Sequence, residues 1–121
     1  MRVVSVVPFN PGSDSAVVTV TDGYHTCRAF SWPSDTKRGS AVVEPLRIFG
    51  ESVLMLSSET KSRLESVRED SLGHRGIAQV VDAREGLLAV GKITLQVTGY
   101  LPGGISSGDM VEFECARIDL P

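Results

Sequence analysis

Apolar and polar positions alternate with a period of two along much of this chain, and that period belongs to strands rather than helices. Residues 2 to 7, RVVSVV, form a first run rich in β-branched side chains, which suit a pleated surface. Residues 10 to 15, NPGSDS, have loop composition. Residues 16 to 21, AVVTVT, set Val18 and Val20 against Thr19 and Thr21, as expected of a half-solvated strand. Asp22-Gly23 follows. Between two extended runs it predicts a type I′ hairpin, whose two central residues need positive φ. YHTCRAFSW, residues 24 to 32, is therefore expected to pair antiparallel with 16 to 21, and Pro33 to end that strand.

SDTKRG, residues 34 to 39, is a polar loop. SAVVEPLRIF, residues 40 to 49, reads as an edge strand or two short pieces, because Pro45 interrupts it. Pro45 and Arg47 there resemble edge protection. Gly50 allows a bend before SVLML, residues 52 to 56, resumes an extended course. Residues 57 to 70, SSETKSRLESVRED, are the helix candidate. Ser57 or Ser58 suits a cap, Glu59 suits the positive end of the dipole, and Lys61 and Glu65 stand four apart. The apolar stripe is thin, with Leu64 and Val67, so a surface α-helix around residues 58 to 69 is expected. SLGHRG, 71 to 76, should stop it, with Gly73 as the cap.

IAQVVDA, 77 to 83, predicts a strand and Arg84-Glu85-Gly86 a turn. LLAVGKITLQVTGY, 87 to 100, reads as one long extended run bent at its glycines. LPGGISSGD, 101 to 109, is turn-rich, and MVEFECARIDL, 110 to 120, is a closing strand. Val111, Phe113 and Cys115 face one way, after which the apolar phase passes to Ala116, Ile118 and Leu120. Such a phase change needs an extra residue, so a β-bulge is predicted near Cys115–Ala116.

The sum is mainly β: a small antiparallel barrel with one surface helix, the whole chain 1–121 forming a single domain. Strands, then a helix, then the closing SGDMVEFECARIDL, residues 107 to 120, resemble an OB-fold-type barrel. The resemblance is one of topology and brings no family's functional residues with it.

Composition narrows the function. Of 121 residues, 41% are hydrophobic and 22% charged, which suits a chain that buries a core. The net charge of −3 argues against a surface that is basic throughout. It leaves room for a local basic groove, since Glu59, Glu65, Glu69, Asp70, Glu112 and Glu114 cluster elsewhere. Cys27 and Cys115 are far apart, in no metal-type spacing, which points to a reduced, cytoplasmic protein rather than a disulfide scaffold. The N-terminal run stops at Pro8, short of a signal peptide, and no apolar stretch approaches the ~18 residues of a membrane span.

Candidate chemistry is sparse. His25 and Cys27 make two ligands of a zinc set that needs three or four. Cys27 lacks an orienting group that would activate it. No serine lies in a Gly-x-Ser-x-Gly elbow, and GYLPGG lacks the lysine and helix of a phosphate loop. No metal, cofactor or catalytic residue is expected. The informative stretch is 24 to 32, where Tyr24, Thr26, Arg28, Phe30 and Trp32 share one face. Either these rings fill a barrel, with Arg28 covering their rims, or Tyr24, Arg28, Phe30 and Trp32, extended by Arg47, form a binding surface. The expected function is a non-enzymatic binding module. A protein partner comes first, of immunity or adaptor type, with surface carboxylates steering onto a basic partner. The alternative partner is single-stranded nucleic acid, stacked on the aromatic and arginine face.

Overall fold

The β-branched runs pair as their alternation requires. The computed structural model describes residues 1–32 and 34–121, so the expectation about Pro33 lies outside it. Among the described residues there are nine strands: β1 (Arg2–Pro8), β2 (Ala16–Thr21), β3 (Thr26–Ser31), β4 (Leu46–Leu56), β5 (Arg63–Ser66), β6 (His74–Asp82), β7 (Leu87–Val90), β8 (Ile93–Val97) and β9 (Met110–Asp119). Five of them close a barrel. β6, β7 and β8 form an antiparallel meander, β4 runs parallel to β8, and β9 lies antiparallel between β4 and β6. The β1–β2–β3 meander extends the sheet from β9, through parallel pairing of Ala29 with Ile118 and Phe30 with Asp119. Leu46, Ile48, Leu88, Ile93, Leu95 and Ile118 are fully buried in the barrel. Val18, Val20, Cys27 and Ala29 from the extension join the same core.

The 16–31 hairpin forms with Ala16 opposite Ser31 and Thr21 opposite Thr26. Its loop has four residues, Asp22 to His25, so β3 starts two residues later than expected. Gly23 has φ of 100° and Asp22 does not take positive φ, which excludes type I′. The Asp22 carboxylate instead accepts the N–H groups of Tyr24 (2.9 Å) and His25 (2.7 Å).

Two expectations are corrected, and one that stood open is decided. The described residues contain no helix, and the surface helix of 58 to 69 is replaced by β5, which pairs with His74–Ile77 of β6. Two apolar residues, Leu64 and Val67, cannot anchor a helix by packing, and isolated helices of this length are marginal. The open side of β6 offers backbone partners instead, and β6 begins at His74, inside the segment expected to be a helix stop. The stretch 40 to 49 is two short pieces rather than an edge strand. Residues before Leu46 make one bridge, Arg2 with Ala41, whereas β4 runs between β8 and β9. The run 87 to 100 is a hairpin rather than one strand. Val90 pairs with Ile93 across Gly91-Lys92, and Gly91, with φ of 58°, supplies the first central position of a II′-type turn. Among the described residues no helix is long and apolar enough to cross a membrane.

The phase change near Cys115 is present, with the extra residue on the partner strand. Glu51 pairs with Cys115 and Val53 with Glu114, leaving Ser52 unpaired on β4. Ala116 faces solvent, and burial resumes at Ile118. Gly50 (φ 72°) lies against this turn, where an added Cβ would stand 2.8 Å from that of Ala116. Gly50→Ala should therefore destabilise by about 1–3 kcal/mol, read as a lower urea midpoint. Gly103→Ala, where an added Cβ meets nothing within 4 Å, should change stability by less than about 0.5 kcal/mol.

Candidate functional site

Strand alternation on β3 turns Cys27, Ala29 and Ser31 inward and Thr26, Arg28 and Phe30 outward. Pairing carries this outward face across neighbouring strands. One row runs Val7, Val17, Phe30, Asp119, Arg47, Gln96 from β1 to β8. A second joins Ser5, Thr19 and Arg28, and a third joins Arg2, Thr21 and Thr26. Arg117 pairs with Phe49 beside the first row. In these rows Arg2, Arg28, Arg47 and Arg117 stand with one carboxylate, Asp119, and Glu44 accepts the Thr94 N–H two residues along β8 from Gln96.

Arg117 is at its centre. Its guanidinium carbon lies 5.0 Å from the Phe30 ring centroid and 4.5 Å from that of Phe49. Asp119 accepts from Nε at 2.6 Å and from Nη2 at 3.2 Å. Each ring attracts the cation through its quadrupole, by about 0.5–2 kcal/mol. Phe9 meets Phe30 edge to face at 5.7 Å. Phe9, Phe49 and Trp32 remain exposed.

The five sequence-derived candidates are placed unevenly. Phe30 and Arg47 lie in the first row, and Trp32 continues the outward side of β3 with 71% of its surface exposed. Arg28 faces outward, but its guanidinium donates to the carbonyls of Glu69 (2.7 Å) and Ser71 (3.2 Å). Tyr24 is fully solvated on the hairpin loop, separated from Phe30 by the length of β3. Arg117, Asp119, Phe49 and Phe9 complete the cluster and were not singled out by sequence. Arg117 and Phe49 do alternate with the buried Ile118 and Ile48, but no local signal says that these strands adjoin.

The acid lies on β5, β6 and the first half of β9, where the start of β6 meets β3 through the Arg28 N–H and His74. Glu65, Arg75 and Glu114 form one row there, and Arg63, Ile77 and Glu112 another. Arg63 pairs with Glu59 at 2.8 Å and Arg75 with Glu65 at 3.2 Å.

The buried titratable groups are structural. His74 is fully buried and uses both ring nitrogens: Nδ1 donates to the Leu72 carbonyl (2.9 Å), and Nε2 accepts the Arg28 N–H (3.2 Å). That is the bonding of a neutral imidazole. Burial pushes its pKa below the usual histidine value and the Arg28 charge adds to this, against the Leu72 carbonyl. Burial also raises the thiols, Cys27 to about 12 and Cys115 to about 11, which leaves them protonated and poor nucleophiles. Burial alone would raise the Asp22 carboxyl. Donors from His25, Lys92 and Tyr24 outweigh it and hold the group well below the usual carboxylate range. The Lys92 N–H, at 2.8 Å, ties the β2–β3 loop to the β7–β8 turn. Among the described residues no group of three or more His, Cys, Asp or Glu is placed to hold a metal.

Compared with protein-family models, curated proteins and solved structures, the chain matches none.

The His74 arrangement has a signed pH dependence. The folded protein resists protonation at His74 while the unfolded chain does not, so stability is full above the unfolded pKa of about 6.5 and falls as pH drops below it. Urea midpoints should fall between about pH 7 and pH 5. His74→Gln should lose this slope and His25→Gln should keep it; an equal slope in all three proteins would contradict the assignment.

Proposed function

We propose that this protein is a non-enzymatic binding module whose outward face on β3, β9 and β4 takes single-stranded nucleic acid. The observation that carries this is Arg117 held between Phe30 and Phe49, on a face whose rows hold four arginines. Single strands offer flat π-faces and a phosphate backbone, and proteins that bind them combine stacking side chains with a cationic track. The barrel's pairing pattern supports the same reading. A three-stranded meander, a parallel strand beside its last member and a fifth strand closing antiparallel to both are the pairings of an OB-type barrel. Here the parallel strand, β4, arrives first in the chain rather than last. That fold class often binds oligonucleotides, and function is argued here from the site rather than the fold. The free, protonated thiols accord with a reducing, cytoplasmic setting.

A protein partner steered by acidic charge is the weaker reading. Two of the carboxylates it would draw on, Glu59 and Glu65, are paired with Arg63 and Arg75, and Glu114 shares a row with Arg75, which reduces the field they project.

Trp32 is the single tryptophan and reports directly. Titration with a mixed-sequence single-stranded oligonucleotide should quench its fluorescence saturably, and salt should weaken the effect. Arg47→Gln should lower the slope of log K against log salt by about 0.7, the value for one single-strand phosphate contact. Phe49→Ala should weaken binding by about tenfold, since a stacked base contributes roughly 1–3 kcal/mol. No quenching or binding at low salt would overturn the proposal.

A further inference from the structure

The outward face ends in a cavity. Where β3 and β9 finish, Trp32, Asp35, Thr36, Ser40, Val42 and Leu120 help enclose a space of about 360 Å³. Its walls are fastened to the sheet. The Leu120 N–H donates to the Phe30 carbonyl at 2.8 Å, and the Ser34 N–H donates to the Asp14 main-chain carbonyl at 2.7 Å, which fixes the loop beside Asp35. Residues 39–42 lie along β1, where Val3 donates to the Ser40 carbonyl at 2.9 Å and Val42 to that of Met1 at 3.3 Å. Trp32 is shared: its position continues the outward side of β3 two residues beyond Phe30, and it also lines the cavity. Two residues of strand span ~7 Å, a step that one unstacked nucleotide can bridge.

The geometry points to this cavity as a pocket for one guanine base of the bound strand, stacked on Trp32 with its Watson–Crick edge toward the Asp35 carboxylate. The inference rests on the nucleic-acid reading of the face. The volume is in the range of small-molecule sites, ~300–1,000 Å³, so a base with part of its sugar fits. Asp35 is the one charged side chain among the lining residues, and it makes no salt bridge among the described residues. A carboxylate presents two acceptors side by side and no donor. Guanine presents two donors side by side, N1–H and the N2 amine. Adenine and cytosine pair an amine with a ring-nitrogen acceptor, and thymine and uracil flank one N–H with two carbonyls. Each of these sets a lone pair against the carboxylate. Val42 and Leu120 supply apolar wall, and Ser40 and Thr36 supply hydroxyls. Lys37 and Arg38, exposed on the same loop, offset the repulsion between Asp35 and the strand's phosphates.

The test uses short oligothymidylates that carry one central guanine, hypoxanthine, adenine or cytosine, beside the unsubstituted strand and free guanosine monophosphate, with binding read by calorimetry. The guanine strand should bind at least about tenfold more tightly than the adenine, cytosine and unsubstituted strands. The hypoxanthine strand, which keeps N1–H and lacks the amine, should fall between. Asp35→Asn, on an exposed loop, should level the series and leave the unsubstituted strand's affinity unreduced. Equal binding of every strand would overturn the guanine pocket and leave the face standing. Guanosine monophosphate binding that needs Asp35, with no strand bound, would keep the pocket and overturn the face. Binding of neither would overturn both.

Discussion

β9 is hydrogen-bonded to three strands, and it manages this by turning at Ala116. Met110 to Cys115 close the barrel against β6, Ile118 and Asp119 pass to β3, and β4 runs alongside both halves. From one inward residue, Cys115, to the next, Ile118, is three positions rather than two, so the pleat rotates between them. β4 accommodates the rotation with Gly50 at positive φ and with the unpaired Ser52. The same rotation directs Arg117 and Asp119 outward, between a ring from β3 and a ring from β4. Where β9 leaves β3, the Arg28 N–H has no strand to pair with, and the His74 imidazole takes its place. The barrel, its three-stranded extension and the aromatic face all depend on this one turn.

The turn also explains how a chain of net charge −3 presents a basic surface. Arginines on β1, β3, β4 and β9 share the outward rows because the register aligns them, while Glu65, Glu112 and Glu114 lie on the rows of β5, β6 and the first half of β9. Arg117 is ordered before any ligand arrives, by two rings and a bidentate carboxylate. A guanidinium is weakly hydrated and planar, so it stacks at low desolvation cost. Preordering removes part of the entropy loss that binding otherwise incurs.

Local chemistry made part of this legible in the sequence. Alternation in AVVTVT and TCRAFS assigned the inward and outward sides of the β2–β3 hairpin, and the phase change at Cys115 located the turn. The segment 57 to 70 misled because capping and charge spacing favour a helix there, whereas backbone pairing to β6 decides its structure. Gly91-Lys92 passed as a bend because its turn depends on one glycine rather than an Asn-Gly or Asp-Gly pair. Phe30 and Trp32 were visible from spacing alone. Arg117 was not, because its two rings come from residues 30 and 49, and adjacency between distant strands leaves no trace in a single sequence.

The central claim is one of location: the strand binds on the turn-generated face and nowhere else. Mapping amide chemical-shift changes during titration with a single-stranded oligonucleotide tests it most directly. Changes confined to 28–32, 47–49 and 117–120, with 63–66 and 110–114 silent, are the expected result. Changes concentrated on 63–66 and 110–114, or spread evenly over the barrel, would contradict it.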